Sequence, residues 1–111
     1  MTDNIRALLQ RAIDTHGAQI QIFKAVEEMG ELTQALAKLA GNADAPNPDY
    51  NQMIDHVAEE VADVRIMLDQ ICMIFDVEDR AGQWRWHKLQ RLKERLDQME
   101  TPHEADEVTS P

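Results

Sequence analysis

Two short acidic segments, each inside a strongly helical run, constrain this chain more than any other feature of its sequence. The first is Glu27-Glu28-Met29-Gly30-Glu31, and the second is Glu59-Glu60-Val61-Ala62-Asp63. Each contains two acids three residues apart, a spacing that places them about 60° apart on one face of an α-helix. Both pairs border an apolar stripe, so packing of the two stripes would bring four acids together at the rim of a core. Four neighbouring carboxylates require a cation to offset their repulsion.

The composition indicates one all-α domain. A chain of 111 residues is long enough to bury roughly two thirds of its unfolded surface. Aromatic residues are few, and β-branched residues never alternate with polar ones over a usable length, as they do in half-buried strands. We therefore predict a bundle of four helices in residues 1–100, followed by a disordered acidic tail at 101–111.

Capping residues predict the ends of the first two helices. Thr2 or Asp3 can cap the first helix, and Gly17 suits its C-terminal end. The second helix should run from about Gln19 to Ala40. Its buried stripe is expected to contain six apolar residues spaced three or four apart, namely Ile22, Val26, Met29, Leu32, Leu36 and Leu39.

The last two helices follow the clearest loop in the sequence, at 41–48, where Gly, Pro and Asn cluster. Asn47 can cap the third helix, with Pro48 in its first turn. Asp76 is expected to cap a fourth helix from Val77 to about Met99. The predicted stripes are Met53, Val57, Val61, Val64, Leu68, Ile71 and Phe75 on the third helix, and Ala81, Leu89, Leu92 and Leu96 on the fourth.

The charge balance argues against several kinds of partner. The formal net charge of −10 disfavours a nucleic-acid duplex or an anionic membrane, since both need a basic surface. The longest apolar run, Ile71 to Phe75, is too short to span a bilayer, and the N-terminus does not resemble a signal peptide. Cys72 is the only cysteine, so no internal disulfide can form and we expect a reducing, cytoplasmic setting.

Apolar residues outside the main stripes predict a homo-oligomer. Ile66 and Met73 lie on the back of the third helix, and Phe23 is displaced in the same way on the second. A wide stripe within one monomer is the alternative explanation. We favour a dimer or a dimer of dimers, because helices with apolar residues on more than one side need a partner surface.

The acid pairs themselves have two interpretations. Acids on a helix most often form a solvated face, but two pairs that both border core stripes favour a metal site. Oxygen ligands select hard cations, so Mg²⁺ is the expected metal, with Mn²⁺ as its substitute, rather than zinc. A di-iron bundle needs Glu-x-x-His pairs on two helices, whereas this chain has only the reversed order, His56-Val57-Ala58-Glu59.

The two acidic segments resemble a known signature. Lys24-Ala-Val-Glu-Glu-Met-Gly-Glu31-Leu followed by Glu59-Glu60-Val-Ala-Asp63-Val is similar to the EExxE…ExxD motif of the MazG-like, all-α nucleoside triphosphate pyrophosphohydrolases. The likeness extends from about Gln19 to Leu96. It implies a helical, oligomeric, Mg²⁺-dependent enzyme that converts a nucleoside triphosphate into the monophosphate and pyrophosphate, with a role in cleaning or balancing nucleotide pools.

The resemblance also implies roles for individual residues. The metal ligands of the family match Glu28, Glu31, Glu60 and Asp63. Glu27 and Glu59 match two additional acids, either of which could orient or deprotonate the attacking water, and Lys24 matches a lysine often seen one turn before the first ligand. Lys88-Leu-Gln-Arg91 resembles the Asn-x-Lys-x-x-Arg stretch of the last helix. Trp86 stands at the Asn position, which leaves open how ribose or base is held.

Basic residues and a histidine extend the predicted substrate site. Lys88, Arg91 and Arg95 fall within about 60° on the last helix, and they either clamp the phosphates or form an ordinary solvated face. His56 lies one turn before Glu60, and it either contacts the substrate or simply pairs with that glutamate.

Three alternatives remain open from the sequence. Two are relatives with the same fold, a dUTPase-type enzyme and a phosphoribosyl-ATP pyrophosphohydrolase. The third is a non-catalytic helical interaction protein whose acids only keep it soluble. The motif determines neither the base nor the sugar of the substrate.

Overall fold

The computed structural model describes residues 1–41 and 49–100, and this part of the chain contains four helices and no strand. The all-α prediction is confirmed at this level. The helices are α1 (Asp3–His16), α2 (Ala18–Gly41), α3 (Tyr50–Phe75) and α4 (Glu78–Glu100). The predicted tail at 101–111 lies outside the described residues.

The ends of α1 agree with the capping residues of the sequence. Thr2 precedes the helix, and its Oγ1 accepts a hydrogen bond of 3.3 Å from the backbone N–H of Ile5. Gly17 follows the helix at a positive φ of 89°, which favours glycine, and its N–H donates to the Ile13 carbonyl at 2.8 Å. The next helix, α2, extends one residue further at each end than the predicted Gln19 to Ala40.

The junction between α3 and α4 differs from the prediction. Asp76 does not cap the last helix; it ends α3 in the left-handed conformation, at φ 53°. Its backbone N–H donates to the carbonyls of Cys72 and Met73, which would otherwise lack a partner at the helix end. Aspartate tolerates this conformation better than most residues, so one Asp suits either end of a helix. The predicted cap of α3, Asn47 with Pro48, lies outside the described residues.

The described chain divides into two compact units. The first, Met1–Asp76, contains α1, α2 and α3. Within it α2 and α3 form an antiparallel hairpin that packs along its length, and α1 packs against both helices. The second unit begins at Val77 and contains α4.

The face of α2 that is most buried differs from the predicted stripe. The buried positions are Gln21, Ala25, Glu28 and Ala35, and at 100° per residue this face lies about 70° from the centre of the predicted one. Of the predicted stripe, Val26, Met29 and Leu36 are exposed. The small residues Ala25 and Ala35 line the interface, whereas the larger apolar side chains flank it.

The same rotation occurs on α3. Its buried residues are Glu60, Val64, Met67 and Gln70, so only Val64 of the predicted stripe is buried. Leu68 and Phe75, both expected in the core, are exposed. The two helices therefore face each other through surfaces that are partly polar, and both leave apolar side chains at the edges.

The fourth helix has no buried residue. Its predicted stripe remains accessible, since Leu89, Leu92 and Leu96 are each more than two-fifths exposed. Trp84 on the same helix is 63% exposed. An apolar stripe of this kind normally supplies the stability of a helix by packing. No helix in the described ranges is long and apolar enough to cross a membrane.

Candidate metal centre

Three of the predicted ligands meet where α2 and α3 face each other. Glu28 comes from α2, and Glu60 and Asp63 come from successive turns of α3. Each offers one carboxylate oxygen, and these three oxygens lie within 4.8 Å of one another. The spacing of three residues on α3 and the antiparallel pairing of the helices together produce this convergence.

Two of these carboxylates are buried with an oxygen that has no partner. Glu28 is 8% exposed and Glu60 is 5% exposed. The Oε2 atoms of both are inaccessible and accept no hydrogen bond. Because a buried carboxylate oxygen without a partner is costly, these two side chains do not belong to a solvated face, and that interpretation of the acid pairs is wrong for them.

The other oxygens of the same carboxylates approach a lysine and a histidine at the edge of the site. The Nζ of Lys24 lies 3.5 Å from Glu28 Oε1, and the Nε2 of His56 lies 3.9 Å from Glu60 Oε1. Both partners are one turn before the acid they approach, and both are about half exposed. In each glutamate, therefore, Oε1 has a neighbouring basic side chain, whereas Oε2 is buried without a partner.

Mutual repulsion of the acids changes their proton affinities. The pKa of Glu31 is raised above its ordinary value, chiefly by the negative charge of Glu28 and then by burial, with a smaller effect of Glu60. The pKa of Glu60 is also raised, first by burial and then by the charges of Glu28 and Asp63, while His56 acts in the opposite direction. Both shifts combine two effects, burial of the carboxyl group and the negative charge of its acidic neighbours.

The remaining predicted acids occupy different positions around the group of three. Glu31 lies outside it but is half-buried, and its carboxylate interacts with those of Glu28 and Glu60. Glu27 and Glu59 are exposed. The roles assigned to these three residues stay predictions.

A groove of about 490 Å³ opens beside the acids. Its lining comes from both helices and consists of Glu31, Gln34, Ala35, Ala37, Lys38, His56 and Glu60. Gln34 and Lys38 were not among the residues singled out from the sequence. They follow Glu31 by three and seven residues, a helical spacing that would have placed them on the same face.

The basic residues proposed as a phosphate clamp belong to the second unit. Lys88 and Arg91 lie on one side of α4, on a surface shared with Trp84, Trp86 and His87. Both tryptophan rings contact the His87 ring edge-on, with ring centroids 6.3 Å and 5.2 Å away. Arg95 lies one turn beyond Arg91 on the same helix. The substrate-binding roles assigned to these three basic residues stay predictions.

The donor set fits a hard divalent cation. All three converging ligands are carboxylates, which suit Mg²⁺ or Mn²⁺. A cation placed among them would supply the missing partner of the two buried Oε2 atoms. Comparison of the chain with protein-family models, curated proteins and solved structures gives no match, so the resemblance to MazG-like enzymes rests on the motif residues alone.

Proposed function

We propose that this chain is a MazG-like nucleoside triphosphate pyrophosphohydrolase that uses Mg²⁺ and works as a homo-oligomer. The observation that carries the proposal is the convergence of Glu28, Glu60 and Asp63, with oxygens within 4.8 Å and two buried oxygens without a partner. The motif predicts these residues as ligands, and their burial gives an independent physical reason for a cation.

The acids of α2 and α3 have different proposed roles in the site. Glu28, Glu60 and Asp63 hold the metal, and Glu31 extends the negative site toward the groove. Mg²⁺ held by these carboxylates would supply positive charge that stabilises the negative charge developing on the phosphate oxygens. The exposed acids Glu27 and Glu59 are the candidates for orienting the attacking water. Hydrolysis breaks the bond between the α- and β-phosphates and releases pyrophosphate.

The groove beside the acids is the proposed position of the substrate. It has room for a ligand of moderate size, since ligand pockets commonly measure roughly 300–1,000 Å³. Lys38 and His56 line it and supply donors suited to phosphate or sugar oxygens. Lys38 also places positive charge beside the acids, where a polyanionic substrate would enter, and this charge would add to that of the metal.

Exposed apolar side chains support the oligomer. Phe23 and Val26 on α2 are 64% and 59% exposed, and Ile66 and Leu68 on α3 are nearly half exposed. The stripe of α4, with Leu89, Leu92 and Leu96, is exposed in the same way, and exposed apolar side chains of this kind suit a partner surface. A second copy of the chain, in a dimer or a dimer of dimers, would cover these residues.

The test is hydrolysis of a panel of canonical, deoxy- and modified nucleoside triphosphates with Mg²⁺, with pyrophosphate and orthophosphate both measured. We expect pyrophosphate from at least one nucleotide. Glu60→Gln should abolish turnover while the helical circular dichroism stays intact, and Asp55→Asn, which removes an exposed acid of α3, is the matched control. Orthophosphate alone would contradict cleavage between the α- and β-phosphates.

The same panel separates the remaining alternatives. Strong preference for dUTP, or for phosphoribosyl-ATP, would place the protein with those relatives. Absence of any turnover, together with no effect of Mg²⁺ on the melting temperature, would favour a non-catalytic helical interaction protein.

A further inference from the structure

A buried pair of glutamines joins α2 to α3 away from the acids. The Nε2 of Gln21 donates a hydrogen bond of 2.7 Å to the Oε1 of Gln70. Both side chains lie in the interior, 5% and 3% exposed. The Nε2 of Gln70 also approaches the sulfur of Met67, at 3.7 Å. A direct side-chain hydrogen bond between two buried amides is a specific contact, because any sliding or rotation of one helix separates the partners.

The glutamine pair and the acids occupy the same register of the hairpin. Seven residues after Gln21 comes Glu28, and seven residues before Gln70 comes Asp63. In antiparallel helices these equal steps bring both pairs face to face, about 10.5 Å apart along the axis. The position of Gln21 against Gln70 therefore determines which residue of α3 stands opposite Glu28.

The acids do not maintain this alignment by themselves. Before a cation is bound, carboxylate oxygens of Glu28, Glu60 and Asp63 lie within 4.8 Å of one another, and like charges at this distance repel. The other buried contacts between the helices involve Ala25, Ala35, Val64 and Met67. Small and flexible apolar side chains tolerate a shift of one turn better than a hydrogen-bonded pair does. Buried polar pairs are known to specify register in helical assemblies in this way.

We propose that Gln21 and Gln70 are positioning residues that lock the register of α2 against α3 and hold Glu28 opposite Glu60 and Asp63 before the metal binds. The inference rests on the proposed function for the metal site itself, whereas the register of the hairpin can be measured without metal. Replacing both glutamines by methionine keeps the length of the side chains and removes the hydrogen bond. The hairpin should then sample a second register, displaced by about one helical turn, or 5.4 Å.

The register can be measured directly with spin labels at two exposed positions, Thr33→Cys on α2 and Ala58→Cys on α3, in a chain that also carries Cys72→Ala. Double electron–electron resonance in EDTA, with the labelled chain diluted in an excess of unlabelled chain so that distances between copies do not contribute, should give one narrow distance for the parent protein. The Gln21→Met/Gln70→Met protein should give a broadened or second distance. Gln19→Met, which replaces an exposed glutamine of α2, is the control and should behave as the parent.

The second readout is Mn²⁺ affinity, measured on the unlabelled protein through the electron paramagnetic resonance signal of the free ion. The double variant should bind Mn²⁺ at least about tenfold more weakly, as expected when groups that orient ligands are lost, while its thermal midpoint in EDTA is unchanged or higher. A merely structural pair would instead lower the midpoint and leave affinity unchanged in the folded protein.

Two results would overturn the proposal: a single parent-like distance in the double variant, or Mn²⁺ affinity within twofold of the parent. If the methionine pair fails to fold, Gln21→Leu/Gln70→Leu gives the same two readouts. If that pair also unfolds in EDTA, the glutamines are required for folding itself and the positioning role is wrong. Failure of the metal proposal is distinguishable, because the parent would then bind no Mn²⁺ while the distance measurement still reports the register.

Discussion

Replacing Asp63 with asparagine removes one negative charge from the candidate metal centre at nearly constant shape. The ligand oxygens of Glu28, Glu60 and Asp63 lie within 4.8 Å of one another. Two unit charges at that distance repel by about 0.9 kcal/mol in water, and by about 3.5 kcal/mol at an effective dielectric constant of about 20. Asp63 is half-buried, so the repulsion that its charge adds is on the order of 1 kcal/mol per neighbour, toward the solvent limit.

The expected effect of Asp63→Asn depends on the metal. Most substitutions at a partly buried polar position destabilise, but here the metal-free protein should melt at the same or a higher temperature. In contrast, Mg²⁺ at 100 times its dissociation constant stabilises a folded protein by about 2.7 kcal/mol per site. At about 4 °C per kcal/mol, this corresponds to an increase of roughly 10 °C in the wild type. The variant should lose most of this increase.

The assay is thermal melting of both proteins in EDTA and across a Mg²⁺ titration, with Asp55→Asn as the matched control. The control removes an acid from the exposed side of α3, so it should retain the full Mg²⁺ effect. A variant that is clearly less stable in EDTA and keeps the whole Mg²⁺ shift would show that Asp63 is a structural hydrogen-bond acceptor. The three-carboxylate metal centre would then be wrong.

Three further outcomes are expected. The pKa values of Glu31 and Glu60 are raised above the ordinary value of 4.5, so the folded protein holds extra protons at pH values above 4.5. The stability that these groups contribute is present below pH 4.5 and is lost as the pH rises through their folded pKa values. In EDTA the melting temperature should therefore be lower at pH 7 than at pH 5, and this decrease should be smaller in Glu60→Gln than in the wild type. Equal decreases in the two proteins would contradict the assignment. A Cβ added at Gly30 meets nothing within 4 Å, so Gly30→Ala should stabilise α2 by about 1 kcal/mol, measured by urea unfolding; destabilisation would mean that an unseen neighbour occupies this space. Ile66→Glu places a charge on a side chain that is 47% exposed, so light scattering should show weaker assembly, whereas a monomeric wild type at micromolar concentration would refute the oligomer.

The candidate site was predictable from spacing because its ligands are close in sequence on each helix. Glu60 and Asp63 are three residues apart, and helical geometry alone places them on one face. The partner on α2, Glu28, followed from a second segment of the same kind. Spacing gave no means of ranking Glu28 above Glu31, because both belong to the same face and their difference in burial arises from the contact with α3.

The junction at Asp76 was not predictable for a related reason. An aspartate between two helical runs satisfies a free N–H as an N-cap or adopts the left-handed conformation as a C-cap. The choice depends on which helix end its backbone meets. In the structure that end is the last turn of α3, where the carbonyls of Cys72 and Met73 accept its N–H.

The sequence by itself determined the all-α class, the cap at Thr2, the end of α1 at Gly17 and the acidic faces of α2 and α3, since each depends on interactions within a few residues. Only the tertiary structure decided which face of each helix is buried. Hydrophobic spacing pointed to the stripe of largest apolar side chains, but α2 and α3 meet about 70° away from it, through Ala25, Ala35 and the Gln21–Gln70 hydrogen bond. Two helices can approach closely only where small residues face each other, and here a hydrogen bond between side chains 49 positions apart also joins them. Neither feature can be read from the periodicity of a single helix.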